Sequence, residues 1–329
     1  MRDWLERAWY GGSGWCRVLL PLSALYCTAA VARRLAWRSG LRRAFRAPVP
    51  VIVVGNLTVG GTGKTPLVIW LARFLRRSGF RPGVVSRGYG GRARRWPQQV
   101  RADADPVMVG DEALVIARHS GCPMAVGPDR VAAVEALLAH SDCDIIISDD
   151  GLQHYRLGRT VEIATVDGRR RLGNGHCLPA GPLREPASRL GRVDFVVVKG
   201  GQGMGADEYP MHYEGDTLVN LRDENRTRPL AELRGRRVHA VAGLGDPAGF
   251  FDRLREAGLE VEPHSFPDHH AYIGADLAFG DDLPVVMTEK DAVKCTRYAR
   301  DHMWYLPVEA RLPDHFGINL LNLLEKRHG

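Results

Sequence analysis

The chain has 329 residues, 45% apolar and 25% charged, which suits a globular protein of one or two domains with a full core. Six cysteines (Cys16, Cys27, Cys122, Cys143, Cys177, Cys295) include no Cys-x-x-Cys pair, which argues against a zinc knuckle or disulfide framework and for a reducing compartment. The net charge of +7 belongs to residues 1–50, where nine arginines meet only Asp3 and Glu6; the remainder is neutral, so the basicity is not a nucleic-acid signature.

Val18 to Ala32 is an apolar run broken at Pro21, Ser23 and Thr28. It is shorter than the ~20 residues a spanning helix needs. The arginines after it fit retention on the cytoplasmic side better than removal as a signal peptide. Arg34, Arg38, Arg42 and Arg46 recur every four residues, so a continuous helix lines them on one face. An apolar helix with an arginine face suits an anchor on an anionic membrane surface. The alternative is a helix packed on the core with a solvated basic face.

Val49 to Val54 reads as a buried strand, and Gly55-Asn-Leu-Thr-Val-Gly-Gly-Thr-Gly-Lys-Thr-Pro66 follows it. Thr58, Val59, Gly60, Gly61, Thr62, Gly63, Lys64 and Thr65 are the candidate nucleotide-binding residues. The glycines let backbone N–H groups curl round phosphate oxygens, Lys64 reaches the β- and γ-phosphates, and the Thr65 hydroxyl is placed for Mg²⁺. A helix over Leu67–Arg77 points its positive end at the same anion. Thr58 stands where the usual phosphate-loop pattern has its first glycine.

Strands are expected at Gly83–Ser86, Pro123–Gly127, Asp144–Ser148, Val161–Val166 and Asp194–Val198, with helices over Glu112–His119 and Arg130–Ala139. The alternation predicts a parallel sheet covered on both faces. Arg87-Gly88-Tyr89-Gly90-Gly91 follows a strand and shares a rim with the phosphate loop. Asp111 and Glu112 open a helix, either as an N-cap or as groups facing the phosphates. Asp149 and Asp150 end an apolar strand, where phosphate-loop enzymes bring acid to Mg²⁺. Leu178 to Pro186 is a proline-punctuated loop carrying Arg184 and Glu185.

Residues 200 to 210 read as a flexible break before a second αβ series: strands at Val238–Ala242, Val261–Phe266, Val285–Thr288 and Trp304–Val308, and helices at Pro247–Ala257 and near Asp291–Tyr298. Phe266 to Tyr272, with Asp268, His269 and His270, is the densest titratable cluster there, as a site or a polar loop. Gly243-Leu-Gly-Asp-Pro-Ala-Gly249 has the wrong last spacing for a dinucleotide turn and reads as structural.

The ordered set Val-Gly-Asn-Leu-Thr-Val-Gly-Gly-Thr-Gly-Lys-Thr-Pro, Ser-Arg-Gly-Tyr-Gly-Gly, Val-Gly-Asp-Glu, Asp-Asp-Gly-Leu-Gln-His, Leu-Pro-Ala-Gly-Pro-Leu-Arg-Glu-Pro, Phe-Pro-Asp-His-His and Thr-Glu-Lys-Asp-Ala-Val-Lys resembles the tetraacyldisaccharide 4′-kinases of lipid A biosynthesis, from about residue 10 to 310. That family's loop also takes a hydroxyl residue at the Thr58 position. The resemblance implies a phosphate-loop α/β fold with a parallel sheet and a smaller second α/β lobe across a cleft. It divides the chain into a membrane-associating segment (1–47), a kinase domain (48–205) and a second lobe (206–329), with hinge strands near 213–221 and 303–310.

It also implies transfer of the ATP γ-phosphate to the 4′-hydroxyl of a tetraacylated disaccharide 1-phosphate, at the cytoplasmic face of the bacterial inner membrane. The cofactors are ATP and Mg²⁺. The partners are the lipid A precursor and the anionic membrane surface, with neither nucleic acid nor an obligate protein partner. Asp111 is then the base, His269 its orienting partner (His270 being the alternative) and Lys64 the phosphate cation. Thr65, Asp149, Asp150, Glu185 and Glu112 are the metal set. Arg87, Tyr89, Gly90, Gln153, His154 and Arg184 contact substrate. Closure on ATP is expected to bring Asp111 and His269 together.

A different class remains: a membrane-bound ATP-driven switch of the partitioning or cell-division type, whose loop normally carries an extra lysine where this chain has Thr58-Val59-Gly60. A GTPase is disfavoured because Lys290 adjoins Asp291 directly in Thr288-Glu-Lys-Asp291. A non-catalytic αβ protein conflicts with the intact Gly-Lys-Thr and Asp-Asp pair.

Overall fold

The computed structural model describes residues 2–11, 14–201, 205 and 208–328. The break expected at 200–210 lies partly outside them. Two sheets organise the chain. The first takes strands β1 (Val51–Gly55), β2 (Pro82–Ser86), β3 (Gln98–Gln99), β4 (Met124–Val126), β5 (Ile145–Ser148), β6 (Val161–Asp167), β7 (Phe195–Lys199) and β8 (Glu208–Glu214). The second takes β9 (Thr217–Asn220), β10 (Thr227–Pro229), β11 (Arg237–Ala242), β12 (Glu260–Ser265), β13 (Val285–Thr288) and β14 (Met303–Leu306), after which β15 (Glu309–Arg311) returns to the first. The helices are α1 (Arg2–Tyr10), α2 (Leu20–Arg38), α3 (Lys64–Arg77), α4 (Pro106–Val109), α5 (Asp111–Ser120), α6 (Arg130–His140), α7 (Ala248–Glu256), α8 (Glu289–Cys295) and α9 (Asp314–His328).

The first sheet runs β15-β8-β7-β6-β1-β5-β2-β4-β3, parallel from β8 through β4 and antiparallel at both edges. A central β1 explains its sequence. It is hydrogen-bonded on both sides and covered on both faces, so Val51–Val54 is apolar without alternation, and all five strand residues are buried. The second sheet runs β10-β9-β14-β13-β11-β12, with its four later strands parallel. Chain continuity therefore places the loops after β1, β2 and β5 at one rim of the first sheet, and those after β11, β12 and β13 at the matching rim of the second. Open α/β sheets place ligands at the carboxyl ends of strands.

Two sequence expectations are corrected. The division at residue 205 does not follow the sheets, because β8 and β15 belong to the first. The chain crosses between sheets at 215–216 and again at 307–308, and the crossings touch: Gly215 has φ +134°, and a Cβ there would meet the Pro307 carbonyl at 2.5 Å. The C-terminal helix α9, which no motif announced, also packs on the first lobe. Its Phe316, Leu320 and Leu324 repeat at helical spacing and join Leu67, Leu71 and Leu75 of α3 in one core. A Cβ on Gly317 would meet the Phe74 ring at 2.6 Å, so a bare backbone permits that approach.

The second correction concerns the arginine face. α2 stops at Arg38, followed by Ser39 and a left-handed Gly40 (φ +77°). Arg42 and Arg46 lie beyond the helix. Arg34 is buried at 5% exposure and faces Glu185 at 4.0 Å. Counting the 3-10 turn before it, Gly14–Arg38 forms one segment long and apolar enough to cross a membrane by length and composition. Several contacts tie it along one side to the first lobe. The Ser23 hydroxyl donates to Cys177 O (2.7 Å) and the Tyr26 hydroxyl to Arg184 O (3.2 Å), Arg33 Nη2 donates to Gln153 O (3.3 Å), and Arg34 meets Glu185.

Phe316 is fully buried between the α3 aromatics, Phe195 and Tyr209. Phe316→Ala is expected to lower the stability of the first lobe by about 3–5 kcal/mol, read as a shifted urea midpoint with an unchanged slope.

Candidate active site

The loop after β1 is held by its neighbours as well as by its own residues. Val59 N donates to Pro182 O (2.9 Å) and Arg184 N donates to Leu57 O (2.6 Å), so the 178–186 segment braces one side. Asn56 Nδ2 donates to Gly60 O (3.3 Å), and the Thr62 hydroxyl meets that of Thr165 on β6 at 2.6 Å. Gly63 turns the chain into α3 with φ +84°, and a Cβ there would meet the Tyr213 hydroxyl at 2.6 Å. Helix α3 starts at Lys64, three residues before the sequence expectation, so Lys64 and Thr65 form its first turn.

Lys64 Nζ lies 3.5 Å from Asp150 and donates to Asn56 Oδ1 at 3.4 Å. Asp150 also accepts from Arg184 Nη1 at 3.3 Å. Burial opposes the Asp150 charge, but Lys64 and Arg184 outweigh it and lower its pKa. Asp149 differs. It is fully enclosed, its Oδ2 accepts from the Ser86 hydroxyl at 2.8 Å, and its Oδ1 is buried with no hydrogen-bond partner among the described residues. Burial first, then the charges of Glu112 and Asp150, raise its carboxyl to about 6. A buried carboxylate oxygen without a partner, pushed up by neighbouring carboxylates, is chemically suited to a hard cation.

Asp111 is the first residue of α5, and Gly110 (φ +94°) occupies the cap. The N-cap alternative is therefore corrected: Asp111 is 4% exposed and faces the second lobe. His269 Nδ1 donates to its Oδ1 at 3.0 Å and Oδ2 at 3.1 Å, and Lys294 Nζ stands 3.6 Å from Oδ2. Burial alone would raise the Asp111 pKa; the His269 hydrogen bond and the charges of Lys290, His269 and Lys294 outweigh it and hold the carboxyl at about 2. His270 goes elsewhere, donating to Asp276 at 2.9 Å and stacking on Phe266. The choice between adjacent histidines, open in the sequence, falls to His269. The pair expected to form on closure is already in contact.

His269 adopts φ +60°, and Asp150 adopts φ +47°. Both are non-glycine residues in the left-handed region, a strain that marks functional loops. Tyr89 lies against the His269 ring, centroids 4.9 Å apart, and a Cβ on Gly90 would sit 3.5 Å from His269 Nδ1. Arg87, Tyr89 and Gly90 are exposed at this rim. Gln153 Nε2 donates to Asn56 O at 3.1 Å, so it adjoins the phosphate loop. Burial first, then the Arg130 charge, lowers His154 to about 4, and its Nε2 is buried without a hydrogen-bond partner among the described residues.

Two acids expected with the metal are engaged in ion pairs. Glu112 accepts from Lys290 Nζ at 3.0 Å. Glu185 is 3% exposed; its Oε2 accepts from the Tyr155 hydroxyl (2.6 Å) and lies 3.6 Å from Arg189 and 4.0 Å from Arg34, while Oε1 has no hydrogen-bond partner among the described residues. The sequence reading assigned no role to Lys290 or Lys294, yet Lys290 spans the lobes by also donating to Asp268 at 2.9 Å. Their signal was present: two lysines four apart opening a helix after an apolar strand share one face. Thr288 caps that helix and donates to Asp291 Oδ2 at 2.6 Å, and Asp291 also accepts from Gly243 N at 2.8 Å. The apparent guanine signature is thus a helix cap with no exposed carboxylate, and Gly243 is a structural turn.

A phosphate loop on a central parallel strand, acids at the end of the next strand and a histidine–carboxylate pair across the lobes define a nucleotide-dependent phosphotransferase. Comparison with known proteins narrows that class. The LpxK family model, tetraacyldisaccharide-1-P 4′-kinase, matches residues 15–325. The tetraacyldisaccharide 4′-kinase of Nitrosococcus oceani is 55% identical over 97% of this chain and 94% of its own. That of Alkalilimnicola ehrlichii is 56% identical over 89% of this chain and 88% of its own. A crystal structure of LpxK from Aquifex aeolicus in complex with ATP superposes with a TM-score of 0.79 at 28% identity, covering 94% of this chain and 99% of that one. The chain belongs to the tetraacyldisaccharide 4′-kinase family: it is an ATP-dependent kinase of lipid A biosynthesis.

A depressed carboxyl pKa stabilises the fold above the unfolded value of 3.8, and that contribution fades as pH falls toward 2. Asp111→Asn is therefore expected to lose about 2 kcal/mol less stability than the parent between those limits, measured by urea unfolding at stepped pH.

Proposed function

We propose that the chain transfers the γ-phosphate of ATP to the 4′-hydroxyl of a tetraacylated, 1-phosphorylated glucosamine disaccharide, giving the 1,4′-bisphosphate. The observation that carries the mechanism is the Asp111–His269 contact, which presents an ionised base on the rim that bears the phosphate loop. Backbone N–H groups of residues 60–65 wrap the ATP phosphates, while that of Val59 stays on Pro182. Lys64 leaves Asp150 for the β- and γ-phosphates, exchanging one anion for a more highly charged one. Asp111 accepts the acceptor hydroxyl's proton, and His269 fixes its orientation. A carboxylate held at about 2 is a weak base, which suits a loose phosphoryl-transfer transition state with late proton movement. Positioning and charge neutralisation then supply most of the rate.

Mg²⁺ would be held by Thr65 and Asp149, with Asp150 and Glu112 beside them, and would neutralise charge developing on the phosphates. The unpartnered Asp149 oxygen supports this set. Glu185, committed to Arg34, Arg189 and Tyr155, braces the 178–186 loop in this reading. Arg87, Tyr89 and Gly90 on one side, and Gln153, His154 and Arg184 on the other, line the acceptor's approach.

The lipid acceptor arrives from the α2 side, at the cytoplasmic face of the inner membrane. Tyr26 and Arg33 of α2 touch Arg184 and Gln153, so the apolar helix adjoins the substrate residues. The outer face of α2 exposes Leu22 and Leu25, and the 3-10 turn before it exposes Val18, with Arg17, Arg38, Arg42, Arg43 and Arg46 exposed around them. Contacts from Ser23 to Arg34 run along about 17 Å of helix. A helix held sideways over that length lies on the membrane rather than through it.

Incubation with ATP, Mg²⁺ and the disaccharide 1-phosphate should yield a bisphosphorylated lipid. No product, alongside partner-dependent ATP hydrolysis, would sink the kinase reading in favour of a switch. Asp111→Ala should lower kcat by about 10²–10⁴ while ATP binding persists, whereas Lys64→Ala should impair both. The Asp111→Ala/His269→Ala double variant should cost less than the product of the single losses, and full additivity would separate the two roles. Asp149→Asn should raise the Mg²⁺ concentration needed for half-maximal rate.

A further inference from the structure

We propose that His239, Glu262 and His264 form a zinc-binding site on the second sheet, remote in register from the phosphate loop, with Asp281 orienting His239. The placement follows from strand periodicity. β11 and the edge strand β12 are parallel, with His239 paired to Glu262 and Val241 to His264. Residues two apart in a strand share a face, so the two imidazoles and the carboxylate emerge together. One ligand atom from each lies within 4.8 Å of the others. His239 Nδ1 is 3.0 Å from His264 Nε2 and 3.1 Å from Glu262 Oε2. Tetrahedral zinc with such ligands spaces them by about 3.3 Å, so accommodation needs a few tenths of an ångström.

The proton inventory points the same way. His239 is 4% exposed, and its Nε2 faces the Asp281 carboxylate at 3.1 Å. A proton on Nε2 satisfies that contact and leaves Nδ1 as a lone pair directed at His264 and the Glu262 oxygen. That lone pair is met either by a proton, on Nδ1 itself or donated from His264 Nε2, or by a metal shared with Glu262, whose other oxygen pairs with Arg237 at 2.7 Å. A carboxylate on the remote nitrogen of a ligating histidine is the usual support of a metal site. Phe279 covers both rings, with centroids 4.2 Å from His239 and 4.1 Å from His264, which walls off one side. Two imidazoles and one carboxylate suit zinc among the first-row metals, with a fourth position for water on the half-exposed Glu262 side. A bound ion pins the edge strand β12 to β11, and β12 leads within five residues of His264 to His269. The site is therefore a staple on the strand that leads to His269.

The test uses full-length, tag-free protein stripped with a chelator. Zinc titration against a chromophoric competitor should give about one equivalent bound, with a raised unfolding temperature. Co²⁺ in its place should give the intense visible bands of a tetrahedral site with nitrogen ligands. His264→Ala and Glu262→Gln should abolish both signals. Asp281→Asn should weaken zinc binding by about 10–100-fold, and Asp149→Asn should leave it unchanged. No zinc uptake by the parent protein, or uptake unaltered in His264→Ala and Glu262→Gln, overturns the proposal and leaves a proton as the bridging cation. The parent's cobalt spectrum decides the matter if a variant fails to fold: weak octahedral bands alone refute it.

Discussion

A carboxylate carried into a seam with almost no solvent has to meet positive charge, and Asp111 meets it entirely from the other lobe. His269, Lys290 and Lys294 all arrive from loops and helix starts at the carboxyl ends of β12 and β13. Removing water makes each of these attractions stronger and makes an unmet charge costly. The two sheets are therefore held in one relation by His269, Lys290 and Lys294 on one side and Asp111 and Glu112 on the other. Arg118 to Glu224 at 3.3 Å, His119 to Glu289 and Lys290 to Glu112 extend that polar seam along α5.

The phosphate loop is held by the same economy of neighbours. Its glycines give it shape, but its position comes from the 178–186 segment, Thr165 and Gln153. That segment also receives the N-terminal helix through Cys177, Arg184 and Glu185. The apolar N-terminal helix, Arg184 and the phosphate loop are thus joined by a few hydrogen bonds.

Much of the architecture was readable because it is local. The unbroken apolar run before residue 55 marks a strand buried on both faces, and the glycines after it mark a turn. Asp149 and Asp150 announce themselves by ending an apolar strand. The α9 helix was missed although Phe316, Leu320 and Leu324 carry the period, because no chemical motif drew attention to it. The arginine repeat misled because periodicity assumes a continuous helix, and Gly40 ends it.

The sequence by itself determined the strand–loop–helix that takes phosphate, the acids that follow a neighbouring strand and the family to which the chain belongs. These rest on backbone conformations and residue types close together in the chain. Only the tertiary structure decided that His269 rather than His270 meets Asp111, that Arg34 neutralises Glu185 and that Lys290 and Lys294 complete the seam. It also returned the last twenty residues to the first lobe. Those outcomes depend on which side chains the strand register and the two crossings bring together across 150 or more residues, and separation in sequence carries no record of that.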